Sequence, residues 1–422
     1  LLPMLFEGTE VCWPARVKFY EMIGHVIGQS YTAQLRNWCR AHGGRFSGHY
    51  FGEEMLVDHV RSYGNMLSVQ RQSDYPGMDI LACWPEGYFP QDAKYVQMAA
   101  RKCGSNGFMA EVCPFDNPEE FGKAPFDNLL ATMGLNYISG VRTTQSYAEA
   151  DFSAFGDGRF RDFLPRNQDM FGQVRKYFDR AQMRQLNAYV GRMGLLLDGL
   201  QNQCTTVLYF GIEDVQAKYT PKHDCEVGAQ AIGCDLATLR LLRAMLDEGR
   251  DFLFADAEDL TEIARTGRLG GEEIRRILLP GLDVIRPEAL TALRQLKKAG
   301  VCVLFAEKLP HIDALSGQQL QLAGEFEAVS VQEAVQIPDA QEPQFKTLSG
   351  PIVRQARYRT RDSKSMFFLL NPGRTESVVR LPGADARRCT ALDPFTGTIT
   401  QERLNRDWTV PAVRGIFIII EE

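Results

Sequence analysis

The segment GFMAEVCPFDNPEEFGKAPFDNLLATMGLNYISGV, residues 107–141, decides the predicted fold class. It opens with a short apolar run at 107–112, continues with an amphipathic stretch at 126–133 that ends at Gly134, and closes with a second apolar run at 136–141. Short apolar runs predict buried strands, and a glycine after an amphipathic stretch is typical of a helix end. The segment is therefore predicted to form a strand, a helix and a strand, the repeating unit of a parallel sheet covered by helices.

The same alternation extends over the first 200 residues. Strands are predicted at five places, which are residues 2–6, 45–51, 66–70, 107–112 and 136–141. Amphipathic stretches separate them, and the longest, from about residue 15 to residue 42, ends at Gly43-Gly44. This pattern predicts an α/β domain.

Two further modules follow. Residues 203–333 repeat the alternation and look like a small doubly wound α/β domain. A polar, proline-containing linker at 334–350 precedes an all-β pattern with turns at 371–373 and 393–397, which predicts a β-sandwich. The chain is therefore divided into three predicted domains, at residues 1–200, 201–335 and 345–422.

Composition limits the classes of protein that the chain can represent. Of its 422 residues, 45% are hydrophobic and 24% charged, and the net charge is −6, so a strongly basic nucleic-acid-binding surface is not expected. No apolar run approaches the roughly 18 residues that a membrane span needs. The 10 cysteines form no Cys-x-x-Cys pair, which predicts reduced thiols of a cytoplasmic protein rather than a zinc site. The chain begins at Leu1 and not at a methionine, so any leader that preceded it would not be seen.

Polar residues follow each predicted strand of the first 200 residues. In (β/α) barrels the chemistry lies at the carboxyl ends of the strands. Carboxylates, histidine, arginine and aromatic rings at one edge suit a carbohydrate site, because hydrogen-bonding groups fix sugar hydroxyls and a pair of carboxylates breaks the glycosidic bond. The candidate sugar contacts are His49, Asp74, Asp79, Arg142, Tyr147, Trp84, Glu7 and Glu54.

A structural role competes with several of these assignments. Glu7 or Glu10 could complement a helix dipole. Asp74 could cap the turn at residues 75–77. Glu111 is harder to explain in this way, because it follows apolar residues on its predicted strand and a carboxylate there needs a partner or a function.

The stretch FEGTE at residues 6–10 resembles the strand-end motif Phe-Asp-Ser-Trp-Glu of the family 106 glycoside hydrolases, the α-L-rhamnosidase group. Residues 38–43, 48–49, 73–79 and 110–111 follow in a similar order. The resemblance implies a (β/α)8 TIM barrel. The second module is similar to the glutamine-amidotransferase-like domain that follows such barrels, and the β-rich tail is similar to the accessory sandwiches of large glycosidases.

The resemblance also implies catalytic roles. The family's catalytic acid falls on Glu10 and its base on Glu111, 101 positions later. That spacing is about three βα units and suits barrel strands four and seven, so that only strands four to eight would lie in this chain. The family further implies inversion of the anomeric configuration. Gly8-Thr9 replaces Ser-Trp, and Arg142 stands where a histidine is usual, so the sugar is left open.

Two other functions are compatible with the sequence. The altered first motif permits a catalytically inactive carbohydrate-binding or scaffold protein. An amidotransferase or related hydrolase would need a nucleophilic cysteine or serine on a sharp strand-to-helix turn. Cys302 instead lies inside an apolar run, so we interpret it as a core residue and the second module as structural, with a role in forming a homodimer. No cofactor is expected; a calcium ion would suit the acidic setting, but no cation-loop spacing supports it.

Overall fold

The computed structural model describes residues 2–80, 84–112, 125–146, 180–221, 229–337 and 343–421. It divides into two compact units that both contain several separate stretches of the chain. One unit consists of Leu1–Gly77, Gln91–Phe108 and Gln201–Gln344, and the other of Met78–Pro90, Met109–Leu200 and Phe345–Glu422. The predicted domains 201–335 and 345–422 each hold sheets of their own, whereas residues 1–200 are shared between the two units.

The first unit begins with a long helical stretch. Helix α1 (Trp13–Ile27) continues through a π-helical turn, Gly28–Thr32, into α2 (Ala33–Ala41), as the amphipathic pattern predicts. Helix α3 (Leu56–Tyr63) follows, and Gly64 ends it with a φ of 69°.

Two predicted strands of this region are wrong. Residues 2–6 form a 3₁₀ helix, Leu2–Leu5, and residues 66–70 form helix α4 (Met66–Gln70). The Asn65 side chain accepts a hydrogen bond from the Ser68 amide at 3.4 Å and so caps the start of α4. An apolar run of five residues has no distinguishing periodicity, and here the cap decides in favour of the helix.

Close packing of α1 on the start of α4 gives a stability prediction. A methyl group on Gly24 would lie 2.8 Å from the Asn65 Cβ and 2.9 Å from its backbone nitrogen and oxygen. We expect Gly24→Ala to lower the free energy of unfolding by about 1–3 kcal/mol despite the better helix propensity of alanine. Gly191, in a later helix, has open space around it, and Gly191→Ala should raise the same quantity by about 0.5–1 kcal/mol. If chemical denaturation showed the same change in the free energy of unfolding for both variants, the close packing of Gly24 on Asn65 would be contradicted.

A four-stranded sheet with the order β1-β2-β3-β4 follows the helices. Its strands are β1 (Ser47–Gly48), β2 (Tyr75–Ile80), β3 (Phe108–Val112) and β4 (Val141–Ser146). β1 is parallel to β2, with Ser47 opposite Tyr75. Helix α5 (Pro90–Cys103) joins β2 to β3, and α6 (Pro125–Ser139) joins β3 to β4. Across the residues described, these strands form an open sheet and not a closed barrel.

The last βα step lies later in the chain than predicted. Helix α6 passes through Gly134 and ends beside Gly140, which has a φ of 111°, so that β4 starts at Val141 and not at residue 136. A methyl group on Gly134 would lie 2.6 Å from the Leu370 Cδ1, which shows that this glycine serves close packing and not helix termination.

Residues 201–337 form a doubly wound module. Its main sheet has the order β6-β5-β9-β11-β13, and its pairs are all parallel. The strands are β5 (Thr206–Tyr209), β6 (Leu253–Ala255), β9 (Arg276–Leu279), β11 (Cys302–Ala306) and β13 (Ala328–Val329). Small pairs are made by β7 (Arg268–Leu269) with β8 (Glu272–Glu273) and by β10 (Val284–Ile285) with β12 (Ile312–Asp313). This strand order, second-first-third-fourth-fifth, is that of flavodoxin-like folds.

In the residues described, five helices cover this sheet, with apolar cores between the layers. They are α8 (Ile212–Lys218), α9 (Ala229–Asp247), α10 (Ala257–Thr266), α11 (Pro287–Lys298) and α12 (Val331–Gln336). Pro287 opens α11, and Gly300 follows its end with a φ of 89°, both as predicted.

Ion pairs attach α5 to this module. The Lys94 Nζ contacts the Asp251 carboxylate and donates to the Phe252 carbonyl at 3.0 Å. The Arg101 guanidinium lies 2.6 Å from Asp259, and the Lys102 Nζ lies 3.0 Å from Asp256. These pairs explain why α5 belongs to the first compact unit. The two strands that it joins, β2 and β3, have their carboxyl ends in the second unit.

A buried carboxyl group caps α3 from another helix. Asp235 of α9 accepts a hydrogen bond from the Val57 amide at 3.1 Å, and burial raises its pKa to about 7. The raised pKa means that Asp235 stabilises the fold fully in acid and that this contribution is lost as the pH rises through 7. Asparagine keeps the acceptor oxygen without the charge. We therefore compare the free energies of unfolding of Asp235→Asn and the wild type by chemical denaturation. The difference in favour of the variant should grow by on the order of 2–4 kcal/mol as the pH is raised from 5 to 8. A constant difference would show that Asp235 does not titrate in this range.

Within its described residues, the second unit contains a β-sandwich, helix α6 and one further helix. A five-stranded sheet has the order β15-β16-β21-β18-β19, and a three-stranded sheet has the order β14-β17-β20. The strands are β14 (Lys346–Ser349), β15 (Arg354–Arg359), β16 (Ser365–Asn371), β17 (Ser377–Arg380), β18 (Arg388–Leu392), β19 (Ile399–Arg403), β20 (Trp408–Val410) and β21 (Arg414–Ile420). An apolar core that includes Phe367, Leu369 and Trp408 lies between the sheets. Helix α7 (Arg180–Leu197) holds the turn at 393–397 through Arg192, which donates to the carbonyls of Pro394 and Phe395.

Candidate active site

Two neighbouring strands, whose carboxyl ends belong to the second unit, each carry a carboxylate near that end. Asp79 is the second-last residue of β2, and Glu111 is the second-last residue of β3. Both side chains are half-buried, whereas the residues on either side of each are buried. Both carboxylates take part in further interactions. The two predicted site residues Asp79 and Glu111 therefore lie on adjacent strands, each one residue before the end of its strand.

An aromatic loop follows β2 in the same unit. Trp84 is half-buried and lies at the start of a 3₁₀ turn, Pro85–Gly87. Gly87 packs closely on the indole of Trp84, since a methyl group on this glycine would lie 2.5 Å from the indole Nε1. Glu86 pairs with Arg374 at 3.2 Å. Phe89 is 44% exposed, so a second aromatic ring is accessible in this loop.

His49 and Glu54 belong to the first unit. His49 is exposed and directly follows β1, at the carboxyl end that was predicted. Glu54 is half-buried, and its carbonyl accepts a hydrogen bond from Gln91 at 3.2 Å. The adjacent Glu53 is buried and accepts from the Tyr50 amide at 2.7 Å, which identifies it as part of the loop structure.

Asp74 lies at the wrong end of its strand for the predicted role. Because residues 66–70 are helical, Asp74 directly precedes β2 and does not follow a strand. Its carboxylate pairs with Arg40 at 2.6 Å and accepts from the Phe46 amide at 2.9 Å. These contacts identify Asp74 as a structural residue at the amino end of the sheet.

Arg142 was also predicted to follow a strand, but it lies near the start of one. It is the second residue of β4, and its guanidinium donates to the carbonyls of Tyr137, Val141 and Leu200 at 3.2, 2.9 and 3.1 Å. These bonds fix the chain at the start of the strand. Tyr147, the other candidate of this region, lies outside the described residues.

Glu10 is not at a strand end, because the strand predicted before it does not form. It opens a 3₁₀ turn, Glu10–Cys12, and its side chain is 56% exposed. Its carboxylate lies 3.8 Å from the Nε2 of His311 in the doubly wound module. Glu7 is exposed and accepts a long contact, 3.8 Å, from the Cys12 thiol.

The neighbours of Glu10 belong to the carboxyl edge of the doubly wound sheet. Asp283 follows β9, and the Nδ1 of His311 lies 3.7 Å from its carboxylate. Burial opposes its ionisation, but hydrogen bonds from Lys218 at 2.6 Å and Lys308 at 2.6 Å hold the pKa of Asp283 below its usual value. The edge of the sheet between β5 and β9 is the usual ligand position in this fold.

Sequence reasoning missed His311, Asp283 and Lys308. The signal was present, since Asp283 and Lys308 follow β9 and β11 just as the earlier candidates follow predicted strands. The strand-end criterion was applied only to the first 200 residues.

Neither Cys302 nor Cys234 of the second module is an activated thiol. Cys302 opens β11 at the amino end of the strand, and burial raises its pKa. Burial also raises the pKa of Cys234, whose sulfur lies 3.1 Å from the Lys218 Nζ. A raised pKa keeps a thiol protonated, and a protonated thiol is a poor nucleophile.

Among the residues that the structure describes, no group of three or more His, Cys, Asp or Glu side chains is arranged to hold a metal ion. In the same part of the chain, no helix combines the length and apolar character needed to cross a membrane.

Comparison with solved structures gives a consistent fold. The chain is similar to an exo-carrageenase of family GH42 from Bacteroides ovatus, with a TM-score of 0.56 and 13% identity over 87% of this chain and 51% of that chain. It is similar to α-L-fucosidase isoenzyme 2 from Paenibacillus thiaminolyticus, with a TM-score of 0.55 and 13% identity over 93% and 70% of the two chains. A β-galactosidase from Rahnella sp. R3 gives a TM-score of 0.51 and 13% identity over 85% and 62%.

These similarities establish a mixed α/β fold that is shared with glycoside hydrolases. At such low identity they do not specify the substrate. The chain spans only about half to three-fifths of the GH42 exo-carrageenase and the Rahnella β-galactosidase. A comparison with models of protein families gave no match, and neither did a comparison with curated protein sequences.

Proposed function

We propose that this chain is part of a glycoside hydrolase that cleaves an O-glycosidic bond. The observation that carries the proposal is the fold similarity, which extends over 85–93% of this chain to three enzymes named for action on carbohydrates. Half-buried carboxylates near the ends of two neighbouring strands, followed by an aromatic loop, supply the side chains that such a reaction uses. The substrate is accordingly a carbohydrate.

The proposed barrel is incomplete. The strands β1 to β4 and the helices between them are interpreted as the last four βα units of a (β/α)8 barrel, one strand fewer than the sequence predicts. The doubly wound module and the β-sandwich follow as further domains. A role of the doubly wound module in forming a homodimer stays a proposal, which the mass of the protein in solution would test.

The mechanism uses two carboxyl groups in different roles. Glu111 is proposed to activate a water molecule as the general base, and Glu10 to donate a proton to the leaving oxygen as the general acid. These roles come from the resemblance of residues 6–10 and 110–111 to family 106 enzymes. Asp79, Trp84 and His49 are proposed as sugar contacts, and rhamnose is one candidate among the sugars. The overall proposed reaction consumes one water molecule and uses no cofactor.

The proposal is tested with a panel of aryl glycosides that differ in sugar and anomeric configuration. We expect the full-length protein to release the chromophore from at least one member with saturation kinetics. A protein that binds a saccharide by calorimetry but hydrolyses no member would instead be the inactive carbohydrate-binding protein.

A further inference from the structure

Charge is unevenly distributed along the chain. Residues 345–422 contain 13 Lys and Arg but 8 Asp and Glu, whereas the whole chain has a net charge of −6. The β-sandwich is therefore a basic domain in an acidic protein. A basic surface attracts polyanions, and its effect on binding falls with ionic strength.

One hairpin of the sandwich carries two of these arginines, both exposed, on one side of the sheet. Strands β18 and β19 are antiparallel, and Arg388 lies directly opposite Arg403. Thr390 faces Gln401 in the same register, and Gln401 donates to the Thr390 hydroxyl at 3.0 Å. Because side chains alternate along a strand, these four side chains point to one face, while Cys389 between them is buried in the core.

The opposed arginines differ from four other arginines of the domain, which form ion pairs. Arg361, Arg380, Arg387 and Arg406 each lie within 2.8 Å of a carboxylate oxygen. Within the part of the chain that the structure describes, no ion pair is formed by Arg388 or Arg403, although Arg403 donates to the Ala386 carbonyl at 2.8 Å. The Glu421 carboxylate accepts a hydrogen bond from the Thr390 hydroxyl at 3.2 Å.

Like charges directly opposite each other on a sheet are destabilising. One charged residue on an edge strand protects the edge from aggregation. Arg403 on the edge strand β19 serves that purpose alone, so protection does not account for the second arginine on β18. A bound anion between the two guanidinium groups would turn the repulsion into two charge-assisted hydrogen-bonded contacts.

We propose that the outer face of the β18–β19 hairpin binds an anionic polysaccharide. Arg388 and Arg403 hold a sulfate or carboxylate group of the polymer. Gln401 and Thr390 supply hydrogen bonds to sugar hydroxyls two residues along the strands. Ile399, which is 61% exposed and lies opposite Leu392 on the same face, offers an apolar contact for the C–H surface of a sugar ring. This site is independent of the proposed hydrolysis.

The test uses gel retardation of the full-length protein in dextran sulfate, in polygalacturonate and in neutral dextran. We expect retardation by at least one of the two polyanions and by no neutral dextran. Dextran sulfate alone would identify a sulfate site, and polygalacturonate alone a carboxylate site. Retardation by neither polymer would overturn the proposal.

A matched pair of double variants separates a site from a general charge effect. Arg388→Gln with Arg403→Gln should weaken binding at least tenfold, with a melting temperature that is not lower than that of the wild type. Arg361→Gln with Arg380→Gln removes the same charge from the same domain and should weaken binding less than threefold. Equal losses for both double variants would show that net charge alone attracts the polymer and would overturn the site.

Discussion

Glu111→Gln should reduce the hydrolysis of every substrate, aryl glycosides included, by about 10³-fold or more. Glutamine has nearly the shape of glutamate but cannot take a proton from water or attack the anomeric carbon. The loss should appear in kcat with little change in KM, because the group acts in the reaction and not in binding. The measurement is steady-state kinetics on a chromogenic glycoside together with the melting temperature.

Glu86→Gln is the matched control. Glu86 lies in the same unit, 61% exposed, and pairs only with the surface residue Arg374 in the contacts described. Surface ion pairs contribute about 0–1 kcal/mol, so this variant should keep wild-type kinetics. A mild loss in Glu111→Gln, similar to that in Glu86→Gln, would identify Glu111 as a structural carboxylate.

Glu10→Gln should show a loss that depends on the leaving group. Glycosides with poor leaving groups need a proton donor, and their hydrolysis should fall by about 10²–10⁴-fold. Activated aryl glycosides leave without protonation and should lose far less.

Glu7→Gln is the comparison for this experiment. Glu7 lies three residues before Glu10 and is exposed as well. If Glu7→Gln shows the leaving-group dependence and Glu10→Gln does not, the acid is Glu7. If neither does, the resemblance of residues 6–10 to the family motif is structural only.

The sequence predicted those elements whose local pattern and packing agree. Strand β3 and its helix α6 form where the apolar run and the amphipathic stretch occur, and the modules at 201–337 and 345–421 have the predicted parallel and antiparallel sheets. Residues 2–6 and 66–70 failed because a run of five apolar residues fits a buried helix as well as a strand. Only the Asn65 cap and the packing beneath Gly24 distinguish the two in the second case.

The candidate site was predicted in part for the same reason. Glu111 and His49 lie near the ends of strands that the sequence predicted, whereas Asp79 lies near the end of β2, a strand that the sequence did not predict. Asp74 and Arg142 were assigned to carboxyl ends because the strand boundaries near them were misplaced. The approach of His311 to Glu10 joins residues 301 positions apart and depends on how the N-terminal segment packs on the doubly wound module, which no local pattern encodes.

The most direct test is a proton NMR time course of glycoside hydrolysis by the full-length protein, with Glu111→Gln in parallel. The account predicts that the wild type converts the glycoside to free sugar, that the inverted anomer appears first, and that the variant leaves the glycoside intact. A first product with retained configuration, or a glycosyl ester on Glu111, would contradict inversion. No free sugar from any glycoside, or equal conversion by the variant, would contradict the carboxylate mechanism itself.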